Sequence, residues 1–347
     1  MPLFLGVIRP LQTHSVKMIE TAVYARAGLL GNPSDGYFGK TISTTLRNFS
    51  ARITIREAVQ LEVVLNRQDR CCFDRVQDLV EDIDRHGLYG GLRLLKAAIK
   101  VFAQYCQGHG LALPGRNFSL RYETDVPRQV GLGGSSAITI AALRALTQFY
   151  EVDLPAEVLP NLALDVETAE IGIAAGLQDR VCQAYGGLLY MDFNQDHMEQ
   201  RGHGVYERLD STLLPPLYLA YGTDFGQVSG LYHGSLRERY EKGEPRVLDA
   251  IKGLAQLAEE GRQCLLAGDL QELARLFDRN FDIRAQLVPL EPGHVEMVKR
   301  ARRLGVCAKY AGSGGAIVGI CEDEEVFSRL GEEFARVGCR VIRPRIS

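Results

Sequence analysis

Three glycines and two adjacent hydroxyls stand directly ahead of a helix pattern at Pro127-Arg128-Gln129-Val130-Gly131-Leu132-Gly133-Gly134-Ser135-Ser136-Ala137. A loop of this composition is suited to phosphate, because glycines let backbone N–H groups converge on an anion and the next helix adds the positive end of its dipole. Ser135 and Ser136 offer hydroxyl oxygens to a Mg²⁺ ion that bridges nucleotide phosphates. The plainer alternative is a tight strand-to-helix connection whose serines only cap the helix. A rival phosphate pattern, G-x-x-x-x-G-K-[ST], is nearly matched from Ser34 to Thr41, but Ser34 stands where its first glycine belongs.

The elements that must position this loop can be read from periodicity. Ala137, Ile138, Ala141, Ala142, Ala145, Leu146 and Phe149 recur at helical spacing from Ser136 to about Tyr150. Asn117 to Thr124 alternates as a strand feeding the loop, and Thr21 to Ala27 and Ala51 to Val64 also read as strands, the latter turning near Glu57. A helix is expected from the Tyr89-Gly90-Gly91 turn to about Gln107, and a strand from Ala184 to Phe193. Polar residues and glycines collect from Asp196 to Gly204, which suggests a boundary between a unit at 1–200 and one at 201–347. Beyond it the pattern predicts strands at Leu217 to Tyr221, Ala316 to Cys321 and Arg340 to Ile342, with long helices at Asp249 to Leu266 and Leu270 to Leu287.

Composition narrows the function. With 347 residues, 46% of them hydrophobic, the chain can bury a large core and is expected to form two domains. Forty basic against 43 acidic residues leave a net charge of −3, so no global field draws in nucleic acid or anionic lipid, and neither is expected as a partner. Eight cysteines without C-x-x-C or zinc spacing read as reduced core thiols in a cytoplasmic protein. The N-terminus lacks the pattern of a secretory leader, and no apolar run is long enough to cross a membrane.

The pattern P-x-x-x-G-L-G-x-S-S-A resembles the central motif of the GHMP small-molecule kinases. Tyr24 to Asp35 is similar to the first motif of that family, and Lys309 to Ala316 to its third, glycine-rich motif; order and separation match as well. Asn32 to Gly39, Tyr89 to Leu95, Ala175 to Arg180, Ala184 to Leu188 and Asn280 to Arg284 resemble the glucuronokinases within it. The resemblance implies an α+β fold of two domains, an N-terminal ribosomal-S5-like domain and a C-terminal ferredoxin-like α/β sandwich. It also implies an ATP-dependent, Mg²⁺-requiring kinase acting on the anomeric hydroxyl of a small-molecule sugar, D-glucuronate first, with galacturonate or a heptose as alternatives. A kinase-fold sensor that binds without turnover remains the other class.

By that resemblance Asp179 is the catalytic carboxylate, although an aspartate there could also serve as a helix N-cap. Arg26 is the charge-stabilising cation, and Asp35 the acceptor of sugar hydroxyls. Pro127, Gly131 to Gly134, Ser135, Ser136 and Ala137 form the nucleotide loop, with Ser135 as the Mg²⁺ ligand and Ser136 the spare hydroxyl. Glu170 is favoured as the second metal ligand over Glu167. Gly312, Ser313 and Gly314 close the cleft on the substrate side, with Tyr37 and Lys40 as further sugar contacts and Tyr89 to Lys96 near adenine. A uronate carboxylate calls for a forked cation, and Arg93, Arg128 and Arg180 are the candidates.

Overall fold

The computed structural model describes residues 18–65, 90–222 and 231–346, folded around two sheets. In the first, β1 (Met18–Leu30) pairs antiparallel with β2 (Lys40–Ala58). The far half of β2 takes β4 (Asn117–Thr124) on its free edge, which in turn carries the short parallel β3 (Glu62–Val64). The near half of β2 pairs with β5 (Leu188–Asp192), and β6 (Val205–Leu209) completes the sheet. Since β6 belongs to this sheet, the boundary expected at 200 falls one strand too early. The second sheet has the order β10-β7-β9-β8, from β7 (Leu217–Gly222), β8 (Lys309–Tyr310), β9 (Ala316–Ile320) and β10 (Cys339–Ile342).

Ten helices among the described residues cover these sheets. They are α1 (Gly91–Gly108), α2 (Gly134–Tyr150), α3 (Val158–Asp165), α4 (Gln178–Tyr185), α5 (Gln195–Arg201), α6 (Leu231–Glu241), α7 (Pro245–Ala267), α8 (Leu270–Leu287), α9 (Pro292–Arg303) and α10 (Glu324–Ala335). Expectation and structure agree closely at α1, α2, α8, β4 and β7. They part at β2, whose first eleven residues, Lys40 to Ser50, the sequence pattern does not predict as strand. Thr41, Ser43, Thr44 and Thr45 are all buried there, so a hydroxyl-rich run occupies a central strand where alternation of apolar and polar residues is lost. The near-match to the rival phosphate pattern is the same place: Ser34–Tyr37 forms a short 3₁₀ turn that leads into β2, not into a helix. Ala184 and Tyr185 end helix α4, so the strand expected from Ala184 begins only at Leu188.

Two cores matter for the site. One lies between the first sheet and α1 and α2, where Ile53, Phe102, Leu120, Ile140, Leu146 and Phe149 pack together. The alanines of α2 give it a narrow face, which lets it lie close against β1 and β2. The other core joins the two sheets: Leu30, Ile42 and Leu132 pack with Leu219, Val318 and the helix residues Leu254 and Leu276. The six described cysteines are free and buried; Cys71 and Cys72 lie outside the described residues. No described helix is long and apolar enough to cross a membrane.

Phe149 anchors the C-terminal end of α2, fully buried, with its ring edge-on to Phe118 at 5.5 Å. Phe149→Ala is expected to cost about 3–5 kcal/mol, read as a lower urea midpoint at unchanged m-value.

Candidate active site

Arg26 stands where three distant segments meet. The register of β1 against β2 shifts between Tyr24 and Ala25, and from there β1 is buried on both faces, so a bulge carries the Arg26 side chain into the interior. Its guanidinium forks onto Asp179, with Nε donating to Oδ1 and Nη2 to Oδ2, each at 2.5 Å. Nη1 donates to the Gly131 carbonyl of the phosphate loop at 2.5 Å and to the Ala311 carbonyl of the third motif at 3.3 Å. Burial on its own would lower the Arg26 pKa, but the Asp179 charge and hydrogen bonds outweigh it and raise the pKa above the ordinary arginine value.

Asp179 lies in the first turn of α4, where the helix dipole favours a negative charge. It does not cap that helix. The carboxylate that accepts an early N–H of α4 is Asp35 Oδ2, 3.1 Å from the Gln178 nitrogen. Gly176 makes this approach possible, since a Cβ there would fall 2.1 Å from Asp35 Oδ2. Burial, then repulsion from Asp179, raises the Asp35 pKa above the usual carboxylate range, against the opposing pull of the Gln178 N–H and Arg180. The turn that presents Asp35 is fixed from α8: the Gly31 N–H donates to Asn280 Oδ1 at 2.7 Å, and Asn280 Nδ2 donates to the Asn32 carbonyl at 3.3 Å.

In the phosphate loop Gly131 and Gly133 adopt positive φ of 72° and 73°, which turns the chain into the N-terminus of α2. Ser136 is buried and its Oγ donates back to the Gly133 carbonyl at 3.1 Å, whereas Gly133, Gly134 and Ser135 remain half-buried. Pro127 is half-buried as well, but Leu132 and Ala137 lie fully inside the hydrophobic cores and so brace the loop from behind. Gln183, which the sequence reading passed over, braces it too, donating to the Gly133 carbonyl at 2.8 Å and to the Tyr24 carbonyl at 3.1 Å.

The third motif packs directly on this loop. A Cβ on Gly312 would lie 2.0 Å from the Gly131 carbonyl oxygen, and one on Gly131 would lie 2.8 Å from the Ser313 nitrogen and 2.9 Å from the Gly314 oxygen. Two buried cations from outside the expected set hold the motif. Arg284 of α8 donates to the Gly312 carbonyl at 2.7 Å and to the Ser313 carbonyl at 3.2 Å, with its guanidinium 5.3 Å from the Tyr310 ring centre. Lys309 Nζ donates to the Gly28 carbonyl, the Asn32 side chain and the Tyr310 carbonyl at 2.7, 2.8 and 2.7 Å. Burial, reinforced by Arg284 and Arg26, pushes the Lys309 pKa well below its ordinary value. Asn280 and Arg284 sit four residues apart on the buried face of α8 among Leu273, Leu276, Phe277 and Leu287, a polar interruption that was readable in the sequence.

Other expected residues are engaged elsewhere. A π-helical turn at Val166–Glu170 inserts an extra residue, so Glu167 is fully buried while Glu170 pairs with Lys100 of α1 at 2.5 Å. Arg180 is buried against Glu167, donates to the Gly176 carbonyl at 2.8 Å and approaches Asp179 Oδ2 at 3.9 Å. Arg93 and Arg128 are exposed. Tyr37 packs at 4.7 Å on Tyr240 with Arg237 over its ring, and burial pushes its pKa up to about 12. Lys40 pairs with Glu259 at 2.8 Å and Asp192 at 3.6 Å. Tyr89 lies outside the described residues.

Two outcomes are expected from the Asp35 environment. Gly176→Ala displaces the Asp35 carboxylate and removes the acceptor of an α4 N–H, at a cost of about 0.5–2 kcal/mol in denaturant unfolding. For pH, a carboxyl whose folded pKa is raised destabilises the folded state when ionised; the penalty grows as pH rises from the unfolded pKa and is complete above the folded one. Asp35→Asn should therefore raise the thermal midpoint near neutral pH, and the difference should vanish in acid below the ordinary carboxylate pKa. A difference independent of pH would rule out the titration of Asp35 as its cause.

Residues 93–187 match the GHMP kinases N terminal domain and residues 262–338 the GHMP kinases C terminal domain. The chain is 43% identical over 332 residues to Glucuronokinase 1 of Arabidopsis thaliana, covering 94% of this chain and 91% of that protein. It is equally 43% identical over 334 residues to Probable glucuronokinase 2 of the same plant, again covering 94% and 91%. A Lactococcus lactis galactokinase structure complexed with galactose superposes with a TM-score of 0.73 over 95% of this chain and 94% of that one; at 13% identity that likeness speaks for the fold alone. With both domain matches in order and relatives this similar over nearly its whole length, the chain belongs to the GHMP kinase family, together with the Arabidopsis glucuronokinases.

Proposed function

We propose that this chain is an ATP-dependent sugar-1-kinase that transfers the γ-phosphoryl group of ATP to the anomeric oxygen of D-glucuronate, releasing ADP and glucuronate 1-phosphate. The likeness to the two Arabidopsis proteins supports the substrate. The observation that carries the chemistry is the forked Arg26–Asp179 pair, which also holds the carbonyl of Gly131 in the phosphate loop.

In this reading the anomeric oxygen attacks the γ-phosphorus as the bond to the ADP oxygen breaks, and the hydroxyl proton passes to Asp179. An anomeric hydroxyl is more acidic than an ordinary alcohol, so placement of the base counts for more than its strength. Arg26 fixes the carboxylate by its fork and sets a permanent positive charge beside the transferring group. Asp35, half-buried next to α4, accepts sugar hydroxyls, and the N-terminus of α2 with Gly133, Gly134 and Ser135 receives the phosphates. Arg180, already bound to Glu167 and the Gly176 carbonyl, serves to hold α4 and Asp179.

Magnesium neutralises phosphate charge when bound. Ser135 is the hydroxyl of the pair that remains partly exposed, and the buried Glu167 Oε1 lacks a hydrogen-bond partner. Glu170 pairs with Lys100 at the surface and Glu167 with the buried Arg180; since Glu167 keeps a carboxylate oxygen without a hydrogen bond, we assign Ser135 and Glu167 to the ion in place of Ser135 and Glu170. Reduced thiols favour a cytoplasmic setting.

ADP release measured across glucuronate, galacturonate, heptoses and glucose tests the substrate; turnover of none would favour a binding protein without catalysis. Asp179→Asn is expected to lower kcat by about 10²–10⁴-fold with little change in ATP affinity, whereas Ser135→Ala should raise the Mg²⁺ and ATP requirement. Full turnover by Asp179→Asn would remove Asp179 from the chemistry.

A further inference from the structure

A uronic acid brings a carboxylate that a neutral hexose lacks, and a site that prefers it needs a cation with unused donors. Most basic groups around the cleft are already answered. Arg26 is forked onto Asp179, Arg180 lies against Glu167, and Lys309 is bound by three oxygens. Arg93 and Arg128 stand exposed at the surface.

Arg284 differs from all of these. It is 6% exposed, and among the described residues no carboxylate lies within ion-pair distance of it. Its two hydrogen bonds go to the neutral carbonyls of Gly312 and Ser313, one from each Nη, and its Nε is buried with no hydrogen-bond partner. Neutral carbonyls satisfy donors but do not cancel charge, so the burial of this cation is not met by a directly bound counter-ion. Burial, with repulsion from Arg26 added and only partly offset by Tyr310 and Asp35, lowers its pKa to about 10, which still leaves it charged at neutral pH.

Position adds the rest. Gly312 separates the two guanidiniums: its carbonyl accepts from Arg284 Nη1 at 2.7 Å, and a Cβ on it would lie 2.9 Å from Arg26 Nη1. One turn before Arg284 on α8, Asn280 fixes the Gly31–Asn32 turn that leads to Asp35. A single helix face thus braces the turn carrying the sugar-binding aspartate and sets an unpaired cation next to the catalytic pair. We infer that Arg284 is the specificity-determining residue that reads the carboxylate of the sugar, with a uronate supplying the counter-ion that the protein itself omits. This rests on the kinase reading above and deepens it.

The test compares kcat/KM for glucuronate and for glucose on wild type, Arg284→Gln and Arg284→Lys, with the ATP KM measured in parallel. Wild type should favour glucuronate. Arg284→Gln loosens the glycine motif for either sugar, but kcat/KM should fall about 10–100-fold further for glucuronate than for glucose, collapsing the preference ratio, since the lost charged hydrogen bond belongs to the uronate alone. Arg284→Lys keeps the charge without the fork and should fall between; it carries the comparison if the glutamine variant does not fold. A preference ratio that survives both substitutions overturns the inference and leaves the glucuronate kinase standing. An equal loss on both sugars with a raised ATP KM also overturns it, making Arg284 only a clamp of the glycine motif. Equal use of the two sugars by wild type would remove the uronate reading and the inference together.

Discussion

Arg26 carries a permanent charge into a place where 4% of its surface meets water, and such a cation has to be answered from every side. Asp179 supplies the counter-charge, and the carbonyls of Gly131 and Ala311 take the remaining direction of the guanidinium. Those partners come from α4, the phosphate loop and the third motif, which are distant in sequence. The requirement to bury one arginine satisfactorily therefore sets the relative positions of Asp179, the Gly131 loop and the third glycine motif. Removing one partner of such a pair generally costs about 3–5 kcal/mol, because the other charge is left behind.

The scaffold reaches this arrangement by local devices with separate causes. A bulge in β1 re-aims Arg26 inward. The small residues of α2 bring its N-terminus close to the sheet, and Gly176 lets Asp35 reach the start of α4. From helix α8, Asn280 and Arg284 hold the Gly31–Asn32 turn and the glycine motif. Positioning is thus divided between elements packed on the two sheets.

Much of this was legible in the residues. The phosphate loop announced itself by composition, helices α1, α2 and α8 by strict periodicity, and the family motifs singled out Arg26, Asp35 and Asp179, which the structure brings together. What escaped did so for physical reasons. The first half of β2 is rich in buried Thr and Ser, which carry no hydrophobic signal. The π turn at Val166–Glu170 shifts a helical phase by one residue, so counting along the sequence did not show that Glu167 is buried while Glu170 pairs with Lys100. Arg180 was readable as a cation but not as one already paired, since Glu167 lies on another element. Arg284 was visible only as a charge in an apolar stripe; its freedom from a counter-ion is a property of three-dimensional packing.

The core that joins the sheets has a bearing on how such a protein can change. Leu30, Ile42 and Leu132 from one side pack in one buried apolar cluster with Leu219, Leu254, Leu276 and Val318 from the other. Swinging one sheet against its neighbour would open that apolar contact to water, a cost that opposes hinge motion between the halves. For the same reason the halves are not exchangeable modules: a C-terminal half taken from another kinase would have to arrive with its contact surface already cut to this partner.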